Sequence, residues 1–181
     1  MRFDSRDLAL TAVFSALYVI INLVQMFSVG NPTVYGPVQL RVADCLIAFA
    51  ALFGLPVIGG VTLGCFLTNA YVFLGVSDVI FGPIANLIAA TLIFLLRRHS
   101  FTACVTGALP IGLIVGGYLS VIFSFPAPEV LSTLPAWTAM MISITLSSLI
   151  AIAGVGYLLL SIIRRPSIIE PLKSHGLKVA I

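Results

Sequence analysis

The sequence predicts an all-α protein, an integral membrane six-helix bundle, and three observations carry that prediction. Of its 181 residues, 60% are hydrophobic and only 8% are charged, where soluble domains carry about 25% charged residues. A chain so poor in charge cannot cover its own surface in water, so lipid must be the solvent for much of it. The apolar residues also gather into six segments, most of them near the roughly 20 residues a spanning helix needs. Finally, the basic residues sort to one side of the membrane only if the segments number six.

The first segment, Leu8–Val29, is longer than the apolar core of a signal peptide. It follows mixed charges at Arg2, Asp4, Arg6 and Asp7, and reads as a retained span. The second, Arg41–Phe53, is short for a full crossing and is ended by Gly54-Leu55-Pro56. The third is Leu55–Val76, the fourth Val79–Leu96 and the fifth Cys104–Phe125. The sixth, Leu134–Ile163, would extend about 45 Å at 1.5 Å per residue, so it tilts or projects past the membrane. Residues 1–165 then form a single membrane domain, and residues 166–181 a polar, loosely ordered tail.

With six spans, Arg2, Arg6, Arg97, Arg98, Arg164, Arg165, Lys173 and Lys178 share one side, and only Arg41 falls on the other. The positive-inside rule makes the crowded side cytoplasmic. The sequence therefore predicts a multi-pass protein of the cell membrane with N- and C-termini both in the cytoplasm. Five or seven spans would scatter the same charges over both faces.

Several function classes are excluded. The net charge of +3 is too small and too dispersed for a nucleic-acid partner. Cys45, Cys65 and Cys104 lie far apart in apolar runs, without metal spacing, and read as buried thiols. Neither His99 nor His175 has a neighbouring ligand, and no HExxH, GxSxG or phosphate-binding GxxxxGK[ST] motif occurs. No catalytic residue, metal site or cofactor is expected, and any uphill transport must draw on an ion gradient or on partner subunits.

Small residues recur at four-residue spacing: Ala12 and Ala16, Gly60 and Gly64, Gly112 and Gly116, and the ridge Ala139, Ser143, Ser147, Ala151. Such ridges let helices approach closely in lipid, either within the bundle or against another membrane protein.

Polar side chains within spans are costly and turn to the protein interior or to a water-filled site. Here they gather in the outer half: Arg41 and Asp44 at the start of the second segment, Asn69 and Tyr71 near the end of the third, Asp78 and Asn86 early in the fourth, Tyr118 late in the fifth. Each has a structural alternative. Asp78 also suits a helix N-terminus, Arg41 and Asp44 are spaced to pair, Asn69 and Asn86 are placed to bridge helices, and Tyr118 and Trp137 suit the interfacial belt. Glu129 reads as a loop residue. Asn31-Pro32 and Gly36-Pro37 mark an irregular outer loop.

The run Gly36-Pro37-Val38-Gln39-Leu40-Arg41-Val42-Ala43-Asp44 resembles a segment of the QueT family. The likeness continues through Gly59, Gly64-Cys65 and Asn69, and through Ser77-Asp78-Val79-Ile80-Phe81-Gly82, so that it covers residues 36–90. Asp44 stands where the family carries Glu, and Asn86 or its neighbours where it carries Thr. The resemblance implies an S-component-like fold, that of the substrate-capturing membrane subunit of an energy-coupling factor (ECF) transporter. It implies an EcfT-like membrane partner with two ATPase subunits, docking through Ala12 and Ala16, and a queuosine precursor of the 7-deazaguanine type as ligand. The residues expected to contact that ligand are Gln39, Arg41, Asp44, Asn69, Tyr71, Asp78, Phe81, Asn86 and Tyr118. A carboxylate accepts the N–H and amine of a guanine-like edge, an amide meets the ring carbonyl, and Phe81, Tyr71 or Tyr118 stacks on the ring. A related nucleobase is an equally open ligand; the alternatives are an S component for a different vitamin, and a small membrane scaffold without a ligand.

Overall fold

A computed structural model describes residues 4–30, 40–122, 134–174 and 176–179. The described residues form helices and no strand. Helix α1 is Ser5–Val29, α3 Leu55–Val72, α4 Val76–Leu95, α5 Ser100–Ile122 and α6 Ala136–Ile163. These five are long and apolar enough to cross a membrane. Between α1 and α3 lies the shorter α2, Val42–Phe53, and a final helix, α7, covers Pro166–Ser174.

The boundaries follow local chemistry. Asp4 caps α1, accepting from the backbone N–H groups of Arg6 and Asp7, while Asp7 accepts from the Asp4 N–H. Gly54, at φ 65°, makes the single-residue reversal from α2 into α3 against the ring of Phe94. The short turn from α3 to α4 needs Phe73 in the left-handed region at φ 44° and Gly75 at φ 151°.

Helices consecutive in sequence run antiparallel, as paired residues show. Phe14 on α1 meets Phe49 and Phe53 on α2, while Gln25, further along α1, accepts from the N–H of Val42 at 3.1 Å and donates to the Leu40 carbonyl. Asn69 on α3 meets Asp78 on α4. At the opposite end, Phe101 on α5 meets Tyr157 on α6, edge to face, with centroids 5.3 Å apart. The basic end therefore gathers Arg6, Arg97, Arg98, Arg164 and Arg165, and the other end carries Arg41.

The second segment departs from the expected α-helical span. It is 3-10 helix over Val42–Phe49 and α-helix only over Ala50–Phe53. Every residue from Ala43 to Leu52 is buried. A helix apolar on all sides belongs in an interior, and here the interior is protein rather than lipid. That shelter permits an irregular backbone at membrane depth. The 3-10 form also rises about 2.0 Å per residue against 1.5 Å, so a short segment reaches further. Its neighbour on α6 is irregular in the opposite sense: Leu149–Gly156 is π-helix, and a Cβ on Gly156 would lie 2.7 Å from the Cys45 carbonyl.

Three of the four small-residue ridges are used inside the bundle. A Cβ on Gly60 or Gly64 would stand 2.7 Å from the Cβ of Phe14 or Tyr18 respectively, so these glycines let α1 and α3 touch. Gly112 and Gly116 receive Thr145 and Met141 of α6, and Ala139, Ser143, Ser147 and Ala151 are buried. Ala12 and Ala16 alone stay exposed, on an α1 face with Val13, Leu17 and Ile20.

The tail is more ordered than its polarity suggested. Ile169 of α7 is buried against the core. Beyond the helix, the Gly176 carbonyl accepts from Arg6 at 3.2 Å, and Lys178 reaches Asp4 at 2.9 Å and Asp7 at 2.7 Å. The acidic N-terminal turn of α1 is the anchor that holds the tail.

Candidate functional site

The polar side chains of five helices, α1 to α5, meet in the half of the bundle away from the basic end. Tyr18 of α1 is fully buried, and its hydroxyl donates to Asp44 Oδ1 at 2.7 Å. Asn86 of α4, also fully buried, donates from Nδ2 to the same hydroxyl at 2.9 Å. Beside this chain, Arg41 Nη2 donates to Asn69 Oδ1 at 3.4 Å, and Asn69 Nδ2 donates to the Asp78 carbonyl at 2.8 Å. The Tyr118 hydroxyl of α5 donates to Asp78 Oδ1 at 2.6 Å. The Phe81 ring lies 6.1 Å from that of Tyr118, tilted by 31°.

Local sequence explains how each group arrives. Asp44 sits in the first turn of α2, whose entry is held by Gln25. Asp78 sits in the first turn of α4, where the helix dipole favours an acid, yet its side chain makes no cap and turns to Tyr118. Gly82, one turn on, leaves the space that Asn69 fills, since a Cβ there would collide with Asn69 Nδ2. Pro83 follows and lacks the N–H that would bond to the Val79 carbonyl.

Burial gives these contacts weight. Arg41, Asp44, Asn69, Asp78 and Asn86 are all buried, so the site holds one guanidinium and two carboxylates out of water. Such charges persist only when partnered. Among the described residues no direct ion pair joins Arg41 to Asp44, so the spacing that suggested a pair does not produce one. Asp44 Oδ2 and Asn86 Oδ1 are buried with no hydrogen-bond partner among the described residues. An unmet buried acceptor costs about 1–3 kcal/mol.

The structure brings together Arg41, Asp44, Asn69, Asp78, Asn86 and Tyr118, with Phe81 at the edge. It does not bring in Tyr71, which is 69% exposed. Gln39 and Glu129 lie outside the described residues. Trp137 stands exposed at the start of α6, as an interfacial anchor would. Tyr118 is tied to Asp78 rather than free for the membrane surface. Sequence reasoning missed Tyr18. Its signal was available: Phe14, Ser15 and Tyr18 share one face of α1, opposite Ala12 and Ala16. Cys45, Cys65 and Cys104 are buried free thiols, and no cluster of three His, Cys, Asp or Glu side chains suited to a metal occurs among the described residues.

Comparison with known proteins places the chain in a family. The Queuosine precursor transporter QueT of Lactococcus lactis subsp. cremoris (strain MG1363) is 37% identical over 86 residues. That match spans about half of either protein, 48% of this chain and 48% of the relative. No solved structure matches the chain significantly. The family model described as QueT transporter matches residues 8–165, which takes in the five long helices but for the first three residues of α1, and the whole polar cluster: the chain belongs to the QueT transporter family.

Proposed function

We propose that this chain is the substrate-capturing membrane subunit of an ECF-type transporter and takes up a queuosine precursor, a 7-deazaguanine base. The observation that carries the reading is the buried cluster of Arg41, Asp44 and Asp78 among Asn69, Asn86 and Tyr118. Its formal charge of one guanidinium against two carboxylates leaves a deficit of one positive charge. A deazaguanine bearing an aminomethyl cation supplies that charge, along with ring N–H donors for the unmet acceptors. The name of the Lactococcus relative supports the same ligand.

In this reading α2 is the sixth crossing, made through protein rather than lipid. The basic end faces the cytoplasm by the positive-inside rule, and the polar cluster faces outward, where the nutrient is. The chain performs no covalent chemistry. Ala12 and Ala16 dock an EcfT-like subunit that carries two ATPases. Support for that docking is their standing as the one small-residue pair that the bundle leaves uncovered.

Purified protein in nanodiscs, titrated calorimetrically with 7-aminomethyl-7-deazaguanine, is expected to bind saturably with Kd near or below about 1 μM, or about −8 kcal/mol. Absence of saturable binding would sink the substrate assignment.

A further inference from the structure

One tyrosine sits between the two unmet acceptors. Asp44 Oδ1 and Asn86 Nδ2 bond to the same Tyr18 hydroxyl, at 2.7 and 2.9 Å. The orphaned atoms, Asp44 Oδ2 and Asn86 Oδ1, are the other halves of those same two groups. Each therefore lies one carboxyl or amide width from a shared hydroxyl.

Hydrogen-bond valence makes the arrangement directional. A phenol has one proton, and an ionised carboxylate can only accept. The Tyr18 proton is thus committed to Asp44, and the hydroxyl can offer Asn86 only a lone pair. Asn86 must turn its NH2 towards Tyr18 and its oxygen away. Without that hydroxyl the amide could sit either way round and present a donor or an acceptor. With it, both unmet positions are acceptors.

We infer that Tyr18 is a positioning residue for specificity: it locks Asp44 and Asn86 into a paired-acceptor edge that selects ligands presenting two adjacent N–H donors. The inference rests on the proposed function and refines it. A 2-amino-4-oxo pyrimidine ring, as in guanine, presents a ring N–H beside an exocyclic amine. A ring lacking the amine leaves one buried acceptor unmet. A 6-amino ring places an acceptor against an acceptor. Sites built on hydrogen bonds reject analogues that leave buried groups unpaired far more strongly than apolar pockets reject a size change.

The experiment compares 7-deazaguanine, 7-deazahypoxanthine and 7-deazaadenine as competing ligands for the full-length protein in nanodiscs. Wild type is expected to prefer 7-deazaguanine by about 100-fold over either analogue. In Tyr18→Phe the Asn86 amide is free to turn, and the preference over 7-deazaadenine should shrink to about tenfold or less, chiefly through tighter binding of the adenine analogue. A merely structural role would weaken all three ligands together. Asp44→Asn is nearly isosteric. Its oxygen still accepts from Tyr18, so its NH2 replaces the unmet acceptor with a donor, and the ranking should move towards 7-deazaadenine. If wild type binds none of the three while 7-aminomethyl-7-deazaguanine binds, the inference alone is overturned; if that ligand fails as well, the proposed function falls and the inference with it. If wild type prefers 7-deazaguanine and folded Tyr18→Phe keeps the full preference, the inference alone is overturned. Should Tyr18→Phe fail to fold, an unchanged ranking in Asp44→Asn overturns it just as well.

Discussion

Asn69 is held from three sides. It accepts from Arg41, donates to the Asp78 carbonyl, and occupies space that only a glycine at position 82 leaves open. Gly82→Ala would push the amide off the Asp78 carbonyl and loosen Arg41 with it. Ligand affinity should fall about tenfold, the equivalent of about 1.4 kcal/mol, in the same titration that tests the proposed function, while the helix itself gains from losing a glycine. The residues of this cluster were largely legible beforehand, because a charge or amide in an apolar segment is conspicuous. Arg41, Asp44, Asn69, Asp78 and Asn86 announce themselves in that way. Tyr18 does not, since a tyrosine in a membrane helix equally suits the interfacial belt, and only its full burial against Asp44 shows otherwise. Tyr71 is the converse case: its position in sequence is close to Asn69, but two residues along a helix turn a side chain to the far side.

At the scale of elements, the irregular pair formed by α2 and the π segment of α6 is the part of the fold that residue patterns could not reveal. Apolar periodicity locates a helix, but a 3-10 or π pitch differs from α by fractions of a residue per turn. The long helices α1, α3, α4 and α5 were each located to within a few residues of their ends. Segment two was located as well, though its pitch and full burial were not. Its packing makes a sharp prediction. Gly156 touches the backbone of Cys45 and the Cβ of Ala48, at 2.7 and 2.9 Å from where its own Cβ would stand. Gly154, on the same segment, would meet nothing nearer than the Leu149 carbonyl at 4.0 Å. Gly156→Ala should therefore destabilise the protein by about 1–3 kcal/mol, and Gly154→Ala should leave the melting temperature in detergent nearly unchanged. Equal effects at the two positions would show that the close approach of α2 to α6 does not matter.

Across the whole molecule, the two ends of the chain are tied together at the basic end. This was not legible in sequence, because Lys178 and Asp7 stand 171 residues apart, and nothing local to residues 166–181 specifies the contact. The hydrogen bond from Lys178 holds the Asp4 carboxyl below its ordinary 3.8, and Asp7, then Asp4, raise Lys178 above its ordinary 10.5. The depressed acid contributes above pH 3.8 and loses its contribution as pH falls through its lower folded value. The raised amine contributes below pH 10.5 and loses its contribution as pH climbs through its higher folded value. The tie should hold throughout the neutral range and open in strong acid. Hydrogen exchange over residues 166–179 should be slow at pH 7 and faster in Lys178→Met, with ligand affinity unaltered. Unchanged exchange in that variant would mean that Ile169 holds the tail without the ion pairs.

Helix α1 separates two surfaces. Its inner side carries Tyr18, bonded to both Asp44 and Asn86, and its outer side carries Ala12 and Ala16, which are exposed. If the proposed function holds, the wall between a bound base and a subunit resting on that face is one helix thick, about 10 Å. A partner could sense whether the cup is full by the stiffness of a single rod, and no signal would have to travel through the rest of the barrel of helices.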